Sequence, residues 1–274
     1  MRDYESVEQR GFDTVLTGVR HFDLAQTLDC GQAFRWSACE NGYSGIAHGR
    51  RLEVFFDGDA LILKNCSVEE FDSIWKDYFD LGRDYKELRT QLGYEEHIKN
   101  ALAFSPGIRL MRQDAWETLV SFILSQHTNI PRIKKMITLL CEAFGEALPC
   151  GGFAFPAPGR IAGLEEVDFA PIKSGYRAKY IIDAAKQVAS GRVDIPALSS
   201  CSTQYVRQAL MGICGVGPKV ADCVLLYGFG RAECYPVDVW IKRAMDKFYP
   251  QGIPDWGGQA GIAQLFLFHY IRNN

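Results

Sequence analysis

The chain has 274 residues, 47% of them hydrophobic and 23% charged, with a formal net charge of -3. This is the profile of an ordinary soluble globular protein of one large or two modest domains. With charges so nearly balanced, a nucleic-acid partner would have to be met by cations gathered on one face. Nine cysteines, without framework spacing, suggest reduced thiols in an intracellular protein. The opening MRDYESVEQR is polar and lacks the apolar core of a secretory signal. No apolar run approaches the ~20 residues of a membrane span. The expected location is cytoplasmic, with a bacterial nucleoid rather than a nucleus. No Cys/His cluster has zinc spacing, so neither a metal nor a cofactor is expected.

Residues 1–65 read as short strands. Thr14 to Thr17, Ala33 to Ser37, Tyr43 to Ala47, Leu52 to Phe56 and Leu61 to Leu63 are rich in apolar or aromatic residues. Glu40-Asn41-Gly42, His48-Gly49-Arg50 and Asp57-Gly58-Asp59 separate the later ones as turns. The spacing suggests an antiparallel sheet with hairpins. From Ser67 the period becomes helical, over Val68 to Tyr78, Lys86 to Leu92 and Glu95 to Phe104. Ser67 and Glu70 have the spacing of a capping box. Ser105-Pro106-Gly107 breaks the pattern, so the division expected is a sheet domain over 1–104 and a helical domain over 105–274.

In the second domain, Asp114 and Glu117 open a helix ending near Gln126. A loop containing His127 and Asn129 leads into a helix from Ile130, with Pro131 suited to its first turn. Arg132, Lys134 and Lys135 are candidates for its polar face. Residues 146–172 are loop-rich, with one helical turn around Gly159 to Leu164. Tyr176 and Arg177 precede a helix that Gly191 stops; as a surface pair they need no special role. The last helix runs from about Gln259 to Ile271. Gln264 and Phe268 share a face of it, which core packing alone would also explain.

Leu210 to Trp240 reads LMGICGVGPKVADCVLLYGFGRAECYPVDVW. Gly215-Val216-Gly217 is a tight turn between a helix over Thr203 to Met211 and one from Pro218 to about Tyr227. The flanking glycines tolerate φ > 0. Open amides at a helix start suit a phosphate, though a plain packing corner would look the same. Lys219 stands in the first turn, where a cation is disfavoured by the helix dipole. That is a poor structural choice and a good position for an amine nucleophile. An amine attacks in its neutral form, which desolvation favours more strongly than the dipole does. Asp238 opens the next helix, Val239 to Phe248, as an N-cap. A capping carboxylate is also held rigidly, so both readings can stand.

The segment GVGPKVADC…PVDVW resembles the helix–hairpin–helix DNA glycosylases, and within them the 8-oxoguanine glycosylase/lyase branch. Gly31-Gln32-Ala33-Phe34-Arg35-Trp36 resembles that branch's GQxFRW segment, although a turn glycine before a strand would look alike. The resemblance covers most of the chain. It implies an α+β, mainly α fold: a TBP-like antiparallel sheet domain, then a helical HhH-GPD domain with its hairpin motif over about 203–227. The iron–sulfur branches carry four clustered cysteines after the aspartate, a feature not expected here because Cys234 is the last cysteine.

By the same resemblance, Lys219 and Asp238 would be catalytic, giving a Schiff base and β-elimination. Gly31, Cys223, Gln264 and Phe268 would bind the base. His127, Asn129, Arg132, Tyr176, Arg177, Gly215, Val216, Gly217 and Trp240 would hold DNA, with Arg132 and Arg177 reading the orphaned cytosine. Two positions depart from the pattern. His127 stands where asparagine is usual, and Trp240 where some members carry histidine. The expected partner is duplex DNA containing 8-oxoguanine opposite cytosine, met by a monomer. A glycosylase for alkylated bases and a non-catalytic hairpin module are the alternatives; Lys219 argues against the first.

Overall fold

A computed structural model describes residues 2–274. The N-terminal part is a six-stranded antiparallel sheet: β1 (Ser6–Arg10), β2 (Asp13–Thr17), β3 (Trp36–Ala38), β4 (Tyr43–Ala47), β5 (Arg50–Asp57) and β6 (Ala60–Lys64). Their order is β1-β2-β6-β5-β4-β3. A short helix, α1 (Leu24–Leu28), lies between β2 and β3 in the chain. Alternation directs Leu52 and Val54 of β5, and Leu61 and Leu63 of β6, into the core. β1 escapes sequence reading because SVEQR has no apolar alternation; pairing with β2 alone makes it a strand. The predicted strand at Ala33 begins only at Trp36, because residues 31–35 turn to bury Ala33 and Phe34.

Trp36 anchors the core of this part. Its indole donates to Tyr78 Oη at 2.7 Å and packs edge-on to Trp75. Gly45 faces it closely: a Cβ there would lie 2.4 Å from the ring, so only glycine fits.

Residues 68–78 run as one helical stretch, with α2 (Val68–Glu70) and α3 (Lys76–Tyr78) flanking a π-turn at Phe71–Trp75. Ser67 caps it by accepting from Glu70 N. Then come α4 (Tyr85–Leu92) and α5 (Glu96–Phe104). The remaining helices are α6 (Ala115–Leu124), α7 (Ile130–Phe144), α8 (Pro158–Ala162), α9 (Arg177–Ala189), α10 (Ile195–Leu198), α11 (Thr203–Met211), α12 (Pro218–Tyr227), α13 (Val239–Phe248) and α14 (Ala260–Asn273). The stretch read as loop also holds a 3-10 helix, Glu166–Ile172.

Packing divides the chain into two compact units, one of 1–45, 52–112 and 232–274, the other of 46–51 and 113–231. A boundary at residue 104 follows the break at Ser105-Pro106-Gly107, whereas packing returns the last two helices to the unit that contains most of the sheet. In that unit Arg109 is fully buried, ion-paired to Asp3 at 3.0 Å and bonded to the carbonyls of Phe79, Asp80 and His21. A buried guanidinium is tolerable only when its donors are satisfied in this way.

Candidate active site

In the unit containing 113–231, the hairpin is built as the glycines suggest, with one difference. Gly215 has φ +80, and a Cβ there would lie 2.4 Å from the Tyr180 ring. Gly217 instead has φ -95 and ψ -179, backbone open to any residue, and a Cβ on it would meet nothing within 4 Å. Its freedom is thus in the space before it, not in its backbone angle. Val216 is buried, and its N–H donates to Ile213 O at 3.1 Å. The helix α12 opens without a side-chain cap, leaving amide hydrogens at its positive end.

Lys219 is half-buried in the first turn of α12, its Nζ 4.9 Å from the centre of the Phe122 ring. It forms no ion pair among the described residues. Cys223, one turn further on, is buried.

The loop before α7 is tied to its neighbours by named bonds. Gln126 Nε2 donates to Gly215 O at 3.0 Å, joining this loop to the hairpin. His127 is exposed at φ +49, and its Nδ1 lies 3.0 Å from Tyr176 Oη. Tyr176 is exposed and meets Tyr180 edge-on. Asn129 caps α7 by accepting from Arg132 N, while Arg132 itself is exposed. Arg177 is held differently from Arg132. It is buried, and its guanidinium bonds to the carbonyls of Gln126, Ser174 and His127. Sequence alone could not separate Arg177 from Arg132, because burial distinguishes them.

In the other unit, Asp238 is half-buried and caps α13, accepting from Trp240 N at 3.0 Å and Ile241 N at 2.8 Å. Trp240 is half-buried under the Arg243 guanidinium. Gln264, Phe268 and Arg272 are spaced four apart and form one stripe of α14. Gln264 is buried and donates from Nε2 to Pro236 O at 3.1 Å, while its Oε1 is buried without a partner. Arg272 Nη1 reaches Cys30 O at 3.4 Å. Phe268, half-buried, lies midway between these two tethers. Gly31 is half-buried at φ +98. Arg272 was missed in the sequence, though the stripe from Gln264 through Phe268 points to it. Burial pushes the Cys30 thiol up to about 12, so it is a neutral packing group.

Residues 14–119 match the family described as 8-oxoguanine DNA glycosylase, N-terminal domain, and residues 120–252 match the HhH-GPD superfamily of base excision DNA repair proteins. Among solved structures, MBOgg1 in complex with a low-affinity DNA ligand is 42% identical, covers 98% of both chains and superposes with a TM-score of 0.94. The Clostridium acetobutylicum 8-oxoguanine glycosylase/lyase, in complex with double-stranded DNA containing cytosine opposite 8-oxoguanine, is 35% identical over 99% of both chains, TM-score 0.94. The N-glycosylase/DNA lyase of Saccharomyces cerevisiae is 33% identical over 255 residues, 82% of this chain and 68% of the yeast protein. Two domain matches in the right order, and likeness along nearly the whole chain, agree with the hairpin and its lysine: the chain belongs to the 8-oxoguanine DNA glycosylase/lyase family of the HhH-GPD superfamily, and is a DNA N-glycosylase with lyase activity.

Proposed function

We propose that this protein excises 8-oxoguanine from duplex DNA, opposite cytosine, and cuts the strand through a Schiff base on Lys219. The observation that carries this reading is the amine of Lys219, half-buried in the first helical turn after the hairpin and paired with no carboxylate among the described residues. A lysine placed there has no ion-pairing task beyond its contact with the Phe122 ring, and its neutral amine is a competent nucleophile.

The damaged base must first leave the stack, at a cost of a few kcal/mol. Tyr176 and the His127 loop offset that cost by filling the vacated space. Oxidation places a hydrogen on N7 of guanine. The Gly31 carbonyl accepts from that N–H, whereas it would face the lone pair of ordinary guanine. An unmade buried hydrogen bond costs ~1–3 kcal/mol, so this contact discriminates. Gln264 Oε1 accepts from the Watson–Crick edge, where guanine bears an N1–H donor and adenine a bare N1 acceptor. Phe268 and Cys223 cover the ring faces.

Lys219 Nζ then bonds to C1′ as the C1′–N9 bond breaks, and the base departs with the electron pair and takes up a proton. The amine sheds a proton, the C1′–O4′ bond of the resulting aminal opens with O4′ taking up a proton, and the iminium so formed loses a proton from C2′ and expels the 3′ phosphate. Asp238 stabilises the positive charge that develops on the sugar. Arg132 supports cytosine as the opposite base, the pairing in the duplex bound by the Clostridium relative.

The test is borohydride trapping on an 8-oxoguanine:cytosine duplex. Wild type should form a covalent adduct and Lys219→Gln should not, while still binding the lesion. Normal trapping by Lys219→Gln, or excision of 3-methyladenine in place of 8-oxoguanine, would sink the proposal.

A further inference from the structure

We propose that Gln32 is a positioning residue for base recognition: its buried amide, together with Arg272 on the other flank, aims the Gly31 carbonyl. This rests on the reading of Gly31 given above and goes beyond it.

A carbonyl is aimed by the two residues that share its peptide, here Gly31 and Gln32. Gly31 has no side chain to hold it and sits at φ +98, a region where glycine moves freely. Its direction must therefore come from its neighbours. Gln32 is 1% exposed, although glutamine is seldom buried. Its Nε2 donates to Thr27 O at 3.0 Å and to Arg109 O at 2.7 Å, and its Oε1 accepts from Met111 N at 2.9 Å. Both amide hydrogens and the carbonyl are thus engaged, which also settles the orientation of the amide.

The anchors are themselves rigid. Arg109 is locked by its buried ion pair with Asp3, and Thr27 Oγ1 accepts from Arg109 N and donates to Gly107 O. On the other side, Cys30 is fixed by its Sγ donating to Thr27 O and by Arg272 donating to its carbonyl. Gly31 is the one residue of Cys30-Gly31-Gln32 left half-exposed. A clamp on both flanks of a single glycine is excessive for a turn and suited to an aimed acceptor.

Aim matters to removal of the base, not to cutting a sugar that has already lost it. We therefore compare, for each variant, single-turnover excision from an 8-oxoguanine:cytosine duplex with cleavage of the same duplex bearing a preformed abasic site. Gln32→Leu should lower excision roughly ten-fold or more, the scale of one forfeited hydrogen bond, and retain abasic cleavage. Its residual excision should also discriminate less between 8-oxoguanine and guanine. Arg272→Met, which leaves Gln32 intact and alters a less buried residue, should shift the same ratio in the same direction and decides the matter if Gln32→Leu does not fold. A parallel fall of both activities, or an unchanged ratio in the folded variants, overturns the proposal. A wild type that cleaves abasic DNA but does not release 8-oxoguanine would instead overturn the substrate reading beneath it.

Discussion

Gln264 donates from Nε2 to the carbonyl of Pro236 at 3.1 Å, tying the last helix to the segment that ends at Asp238. Only the amide nitrogen can face a carbonyl oxygen, so Oε1 points elsewhere, and it is buried without a partner. One hydrogen bond therefore orients the Gln264 amide and restrains the approach to the capping carboxylate. A buried acceptor without a partner is costly.

Asp238→Asn separates cap from catalyst. Asparagine can accept the same amide hydrogens from Trp240 and Ile241 and is a nearly equivalent cap. Calorimetry should show a loss under ~1 kcal/mol, about 2–4 °C in Tm. Single-turnover excision should fall by roughly a hundred-fold or more. A large drop in Tm with an unchanged rate per folded molecule would leave Asp238 as a cap alone.

Gly215 and Gly217 should respond oppositely to alanine. Gly215→Ala forces a Cβ into the Tyr180 ring at a positive φ and should cost about 1–3 kcal/mol of stability. Gly217→Ala meets nothing within 4 Å at an ordinary φ, so Tm should hold. Its methyl would occupy the space before α12 and weaken binding to undamaged duplex. Unaltered DNA affinity in Gly217→Ala would remove Gly217 from the phosphate site.

Arg132 and Arg177 should also part company. Arg132→Ala should reduce excision opposite cytosine by about ten- to hundred-fold and spare the other opposite bases. Arg177→Ala leaves the carbonyls of Gln126, Ser174 and His127 without their donor. It should lower Tm and slow excision opposite all four bases alike. Excision rates with each opposite base check both; loss of cytosine preference in Arg177→Ala alone would reverse the assignment.

Stability should decline on mild acidification. Burial, helped by the neighbouring Arg272 charge, lowers the pKa of His269 below its ordinary 6.5, with Asp23 opposing. The folded chain thus binds this proton less readily than the unfolded chain. The stability associated with neutral His269 is complete above pH 6.5 and is lost as the pH falls through the lowered folded value. His269→Phe should flatten the fall in Tm over that interval. An unchanged profile would assign the acid sensitivity to other groups.

Much of this was legible in the sequence. The boundaries of α11, α12 and α13 were read correctly from local chemistry: proline at the first helical position, aspartate as a cap, glycine at the turn. The strand SVEQR was not legible, because its residues carry no alternation and it exists through pairing with β2. The 3-10 helix over Glu166–Ile172 was hidden behind a proline-rich composition.

The sequence by itself determined which chemistry the chain carries: a lysine in the turn after a glycine hairpin, an aspartate at a helix start, and a glutamine four residues from a phenylalanine. These are short-range features, and helix geometry converts their spacing into position. Only the tertiary structure decided what each side chain is free to do. Two arginines look equivalent in the sequence, yet burial gives the donors of Arg177 to backbone carbonyls and leaves Arg132 exposed. Likewise, the partners of Gln32 include Arg109 and Met111, far along the chain, so its task could not be read from its neighbours. Hydrogen-bond satisfaction is settled by whichever groups the fold brings within 3 Å, and sequence spacing carries no record of that choice.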